Sequence, residues 1–168
     1  LQLEFPELAL SISYTTRKPR GLEKNGQEYF FVNRAEFEAK ILANAFAEWA
    51  EVHGHYYGTA LSTIEGFFAA ARFPLLDIDV QGAASLKKAF PDRCLSFFIA
   101  PPSIEDLKTR LEARGTDSTE VIARRMEAAR LEMKAAPTFD HVIVNDDLDH
   151  AYSKISSLVR AAIASATR

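Results

Sequence analysis

Thr15-Thr16-Arg17-Lys18-Pro19-Arg20 places three cationic side chains within positions 17–20 of a chain whose formal net charge is -3 and whose pI is about 5.8. Positive charge that concentrated in an acidic protein points to an anion site. An arginine guanidinium meets a phosphate through two parallel hydrogen bonds, and Pro19 fixes one backbone dihedral between two of the cations, so the cluster is partly pre-organised. A solvated basic loop is the competing reading, and the other chemistry-bearing residues weigh against it.

Asp77 and Asp79 stand two apart in the apolar run Leu75 to Val80, which reads as a strand. Strand spacing puts both carboxylates on one face, where they need a ligand, a cation or hydrogen-bond donors. They lie near the carboxyl end of that strand, the end where open α/β sheets bind ligands. Glu48 lies in an otherwise apolar run beside Trp49 and also needs a donor. Guanine offers two adjacent donors, N1-H and the exocyclic amine, which one carboxylate accepts together, while its O6 wants a donor such as the Ser13 or Thr59 hydroxyl. Singly these residues are more often structural; together they describe a purine pocket beside a phosphate cradle.

A second arginine set, Arg110, Arg114, Arg124 and Arg125, spans a break at Gly115. Arg110 and Arg114 share a helix face, and a helix-Gly-helix corner bearing arginines suggests a mobile lid over phosphates, the alternative being exposed charge paired with Glu112, Glu120 or Glu127. His53, His55, His141 and His150 show no metal-ligand spacing with one another or with Cys94, so no metal site is assigned to them.

The elements that must position these groups follow from the pattern. Leu8 to Tyr14 alternates as a strand leading into the basic loop, and Asn25-Gly26 is a turn before the strand-like run Tyr29 to Val32. Asn33 with Glu36 predicts a capped helix whose apolar face carries Phe37, Ile41 and Leu42. From Thr63 onward, helices alternate with apolar strands: helix 63–72, strand 75–80, helix 83–89, strand 95–100, helix 104–113, a helix capped by Asp117 and Glu120 that runs to about Ala136, strand 141–145 and a final amphipathic helix. That alternation predicts an α/β fold with a mainly parallel sheet.

The bulk composition is that of a globular domain: 168 residues, 48% of them hydrophobic, enough for one sizeable core. The lone Cys94 can make no internal disulfide, and no run approaches the roughly 20 apolar residues of a membrane span. A cytoplasmic protein with no membrane partner is the expectation. The mild negative charge argues against nucleic acid as a partner, since a polyphosphate backbone usually calls for a broad basic face.

Taken in order, these residues resemble the guanylate kinase family over almost the whole chain. The matching segments are Ser11 to Arg20, Glu23 with Asn25-Gly26 and Tyr29, Glu48-Trp49-Ala50, His53 to Thr59, Asp77-Ile78-Asp79-Val80-Gln81-Gly82, Pro101-Pro102-Ser103, Arg114-Gly115-Thr116-Asp117 and Val142 to Asp147. The resemblance implies phosphorylation of GMP, with dGMP as a further candidate acceptor, by ATP with Mg2+. It implies that Arg17, Arg20, Tyr29 and Tyr57 hold the GMP phosphate with Glu23 close by, and that Ser13, Glu48, Thr59, Asp77 and Asp79 read or support the guanine. It further implies that Arg110, Arg114 and Arg125 are catalytic lid arginines, and that Arg114 and Asn145 serve ATP.

The implied fold is a P-loop nucleoside monophosphate kinase-like α/β domain over residues 1–168. Its parallel-sheet core comprises 1–13, 73–113 and 126–168, with an inserted GMP-binding lobe at 14–72 and a helical lid at 114–125. A monomer or homodimer is expected.

One departure stands out: no G-x-x-x-x-G-K-[ST] run, whose backbone N–H groups would cradle ATP phosphates, occurs in the 168 residues. The expectation is that this loop lies upstream of Leu1 and that the segment alone is inactive without it. The competing class is a catalytically silent guanylate-kinase-like module that holds phosphorylated peptides or GMP. The joint presence of guanine-reading residues and lid arginines favours the enzyme.

Overall fold

The computed structural model describes residues 1–115 and 117–166. Thr116, within the Arg114–Asp117 segment and the expected lid, and Thr167 and Arg168 lie outside the described residues. The chain divides into two compact units, Leu1–Cys94 and Leu95–Arg168.

In the first unit, β1 (Leu8–Leu10) runs parallel to β6 (Phe73–Leu75), with Leu8 opposite Phe73 and Leu10 opposite Leu75. A separate four-stranded sheet has the order β3-β2-β5-β4, built from β2 (Tyr14–Thr15), β3 (Phe30–Phe31), β4 (Phe46–Val52) and β5 (His55–Ala60). The turn joining β4 to β5 is the residue pair His53-Gly54, with φ of 51° and 82°. Two successive positive φ values match the right-handed twist of a tight hairpin, and glycine takes the second without penalty.

Helix α1 (Arg34–Leu42) begins at Asn33, whose side chain accepts the Glu36 N–H while the Glu36 carboxylate accepts the Asn33 N–H. This is the reciprocal cap expected from the sequence. Its Phe37 is 0% exposed and stacks on Phe46 with ring centroids 4.4 Å apart, with Tyr56 at 5.3 Å. The aromatic cluster fixes α1 across the β4–β5 hairpin. The unit also contains α2 (Leu61–Ala69) and α3 (Val80–Ala89).

The strand expected over 75–80 is not formed. β6 ends at Leu75, residues 76–79 are irregular, and α3 starts at Val80. Asp79 decides this: its Oδ1 accepts the Gly82 N–H at 2.8 Å, satisfying a donor that the first turn of a helix leaves open. A side chain engaged with its own backbone three residues on nucleates a helix rather than extending a strand. Asp77 and Asp79 therefore do not share a strand face.

In the second unit, β7 (Phe97–Ala100) pairs in parallel with β8 (His141–Val144), from Phe97 opposite His141 to Ala100 opposite Val144. Helix α4 (Ile104–Ala113) is capped by Ser103, whose Oγ accepts the Asp106 N–H as expected. Helix α5 (Thr119–Met133) is capped by Ser118, not by Asp117, because the Ser118 hydroxyl accepts the Val121 N–H. A 3-10 turn at Ala136–Thr138 follows, and α6 (Leu148–Ala166) buries Ala151, Ser156 and Val159 on one face.

The Phe37 cluster gives a stability prediction. Phe37→Ala should cost about 3–5 kcal/mol, read as a fall in the denaturant midpoint. A loss below about 1 kcal/mol would mean that the ring stack does not hold α1 to the hairpin.

Candidate functional site

The first unit assembles two adjoining clusters. The basic loop leaves β2 through Thr15 and Thr16, and both hydroxyls tie it to β5: Thr15 Oγ1 donates to the Tyr56 carbonyl at 3.0 Å, and Thr16 Oγ1 accepts the Tyr56 N–H at 2.9 Å. Thr15 Oγ1 also accepts the Arg17 N–H. The sequence reading gave these threonines no role, although a Thr-Thr pair at a strand end is a recognisable source of backbone-directed hydrogen bonds.

Arg17 is not a free cation. It is 7% exposed and donates from both terminal nitrogens to the two Glu23 oxygens, each at 2.9 Å. Glu23 Oε2 also accepts the Arg20 backbone N–H at 2.7 Å. The Arg17 hydrogen bonds, helped by that N–H, hold the Glu23 carboxyl below its ordinary value, while Glu23 raises the Arg17 pKa. Tyr29 and Tyr57 flank the pair: the Arg17 guanidinium lies 5.3 Å from the Tyr29 ring, and the two tyrosine rings are 5.9 Å apart. Lys18 and Arg20 are exposed. The fork thus fixes the loop from within and leaves Arg20 on its outer side.

In the second cluster, strand alternation turns Glu48 and Ala50 inward and Trp49 and Glu51 outward. An irregularity between Phe46 and Glu48 sets this register, in which Glu48 lies opposite Thr59. Glu48 is 5% exposed, and the buried Thr59 hydroxyl donates to its Oε1 at 2.6 Å. Ser13 Oγ lies 3.5 Å from Thr59 Oγ1. Burial pushes the Glu48 carboxyl above its ordinary value, the Thr59 hydrogen bond opposes that, and the Asp79 charge adds to it. Asp77 is exposed beyond the end of β6, and its charge raises the half-buried Tyr29 hydroxyl, after burial and Tyr57. Ser13, Glu48, Thr59 and Asp79 thus gather at one place, with Asp77 toward the tyrosines.

In the second unit, Arg110, Arg114 and Asn145 line one cavity of about 180 Å³ with Ile99, Pro101 and Leu107. Arg110 donates to the Asn145 carbonyl at 2.9 Å. Arg125 is held instead by Asp117, at 3.3 Å. The cavity therefore collects Arg110, Arg114 and Asn145 but neither Arg124 nor Arg125, two cations and an amide beside an apolar wall.

The sequence profile described as guanylate kinase matches residues 3–162. The chain belongs to the guanylate kinase family. It is 51% identical over 152 residues to the guanylate kinase of Dechloromonas aromatica (strain RCB), covering 90% of this chain and 75% of that protein. It is 49% identical over 156 residues to the guanylate kinase of Aromatoleum aromaticum, covering 93% and 76%. The crystal structure of guanylate kinase from Anaplasma phagocytophilum superimposes with a TM-score of 0.80 at 34% identity, over 92% of this chain and 76% of that one. The family and the α/β fold expected from the sequence are both borne out. Identity near one half to curated guanylate kinases also favours the enzyme over the silent module.

The buried Glu48 of this guanylate kinase chain carries a pH signature. Its folded pKa is raised, so its stabilising contribution is complete below the ordinary value of 4.5 and is lost as pH rises through the folded value. Glu48→Gln should therefore raise the melting temperature of the unliganded protein at about pH 8 and leave it nearly unchanged at about pH 4. A shift of the same size at both pH values would remove burial of the charge as the cause.

Proposed function

We propose that this chain binds GMP in its first unit as the acceptor for a phosphoryl group from ATP, giving GDP and ADP. The observation that carries the reading is the buried Glu48 carboxylate, which takes one hydroxyl donor from Thr59, whose hydroxyl in turn lies 3.5 Å from that of Ser13. A carboxylate desolvated to that degree discriminates through unpaired polar groups: guanine supplies adjacent N–H donors, whereas adenine presents an acceptor at N1.

The GMP phosphate falls to Arg20, with the Arg17–Glu23 fork holding the loop and Tyr29 and Tyr57 supplying hydroxyls. Arg17 then acts chiefly on the shape of the loop. In the second unit, Arg110, Arg114 and Asn145 are assigned to ATP, and Arg125 to the transferring phosphoryl group. A GMP phosphate oxygen forms the new bond to the γ-phosphorus, the bond from that phosphorus to the β,γ-bridging oxygen breaks, and ADP leaves. Such transfer asks the protein mainly for positioning and charge stabilisation.

Mg2+ would accompany the ATP phosphates. Among the described residues no group of three or more His, Cys, Asp or Glu is placed to hold a metal ion, so no residue is assigned to it. Among those same residues no helix is long and apolar enough to cross a membrane, and nucleotide substrates fit a cytoplasmic setting.

Calorimetry with GMP, AMP and guanosine tests the acceptor site. GMP should bind in preference to AMP, and Arg20→Ala should weaken GMP by about ten- to a hundredfold while leaving guanosine nearly unchanged. Equal losses for the two ligands would remove Arg20 from the phosphate. Assayed as these 168 residues, which contain no G-x-x-x-x-G-K-[ST] run, the protein should bind GMP with negligible turnover. Turnover within the range of ordinary kinases, about 1–100 per second, would show that the loop is dispensable.

A further inference from the structure

Gly82 stands in the first turn of α3, buried, with nothing in its backbone that calls for glycine. Its φ is not in the left-handed region, and glycine is a poor helix former, so the residue weakens the helix that it sits in. Space is what requires it. A Cβ built on Gly82 would lie 2.6 Å from Glu48 Oε2, 3.2 Å from Glu48 Cδ and 3.3 Å from Asp79 Oδ1. Oε2 thus rests directly against the α3 backbone, while Oε1 takes the Thr59 hydroxyl. The Asp79 cap on the Gly82 N–H, at 2.8 Å, fixes that stretch of backbone where Glu48 meets it.

We propose that Gly82 is a positioning residue for guanine selectivity: the missing side chain is the seat that holds the Glu48 carboxylate between Thr59 and the start of α3. This inference rests on Glu48 as the reader of the base. Displacement is the expected result of any side chain here, because the two nearest atoms that a Cβ meets belong to the Glu48 carboxylate, held by a buried hydroxyl and a β-strand with little room to retreat.

The test is a double-mutant cycle of Gly82→Ala and Glu48→Ala, with the dissociation constants of GMP and AMP measured calorimetrically and melting temperatures alongside. Gly82→Ala should reduce the preference for GMP over AMP by about ten- to a hundredfold. Glu48→Ala should do the same, and the double variant should fall no further than Glu48→Ala alone, since the glycine acts only through the acid. If Gly82→Ala is too unstable to assay, the double variant should recover stability, because removing the Glu48 side chain vacates the space.

A Gly82→Ala protein that keeps the parent preference, a double variant showing the product of the two single losses, or a double variant as unstable as Gly82→Ala would each overturn the inference. Failure of the underlying reading looks different. A parent with no preference for GMP, or a Glu48→Ala protein that retains it, removes Glu48 as the reader, and the inference falls with it. Loss in Glu48→Ala with an unchanged Gly82→Ala sinks the role of Gly82 alone.

Discussion

A carboxylate inside a sheet must find donors or lose its charge, and the hydrogen bond from Thr59 to Glu48 is the contact around which the first unit is arranged. Much of the surrounding structure serves it. The irregularity in β4 brings Glu48 opposite Thr59, the tight turn at His53-Gly54 keeps that register, and α3 starts where its backbone can lie against the carboxylate. Burial raises the energy of the charged form, so the Glu48 carboxyl is held above its ordinary value despite the Thr59 hydrogen bond.

The basic loop solves a different problem. A run of like charges resists being held in one conformation, and here the first arginine of the run is neutralised by the acid that follows the last. The Glu23 carboxylate closes the loop by receiving Arg17 from one end and the Arg20 N–H from the other. The Tyr29 and Phe31 rings beside Arg17 add faces for the guanidinium, at 5.3 and 5.8 Å.

The capping residues Asn33 and Ser103 could be read from the chain because their signals are local, a matter of residue type at a spacing of three. Glu48 was legible as a buried acid in need of a donor for a similar reason: the apolar run around it is a local property. The fork between Arg17 and Glu23 was not, because it depends on how the loop 17–23 folds back, which no periodicity encodes. Asp79 misled in the opposite direction, since the apolar run around it reads as a strand while its side chain starts a helix. Gly82 was visible only as part of a motif, because the reason for a glycine without a positive φ lies in a residue from another strand.

The division of labour between the two arginines also separates their responses to ionic strength. The Arg17–Glu23 fork is short and bidentate, with Arg17 buried and Glu23 partly exposed, so mobile ions screen it less than they screen a fully exposed charge. Arg20 projects from that same loop into water, where its attraction for an approaching anion is screened over a Debye length of about 8 Å at physiological salt. Salt therefore acts more on the outward charge of the loop than on the fork that shapes it.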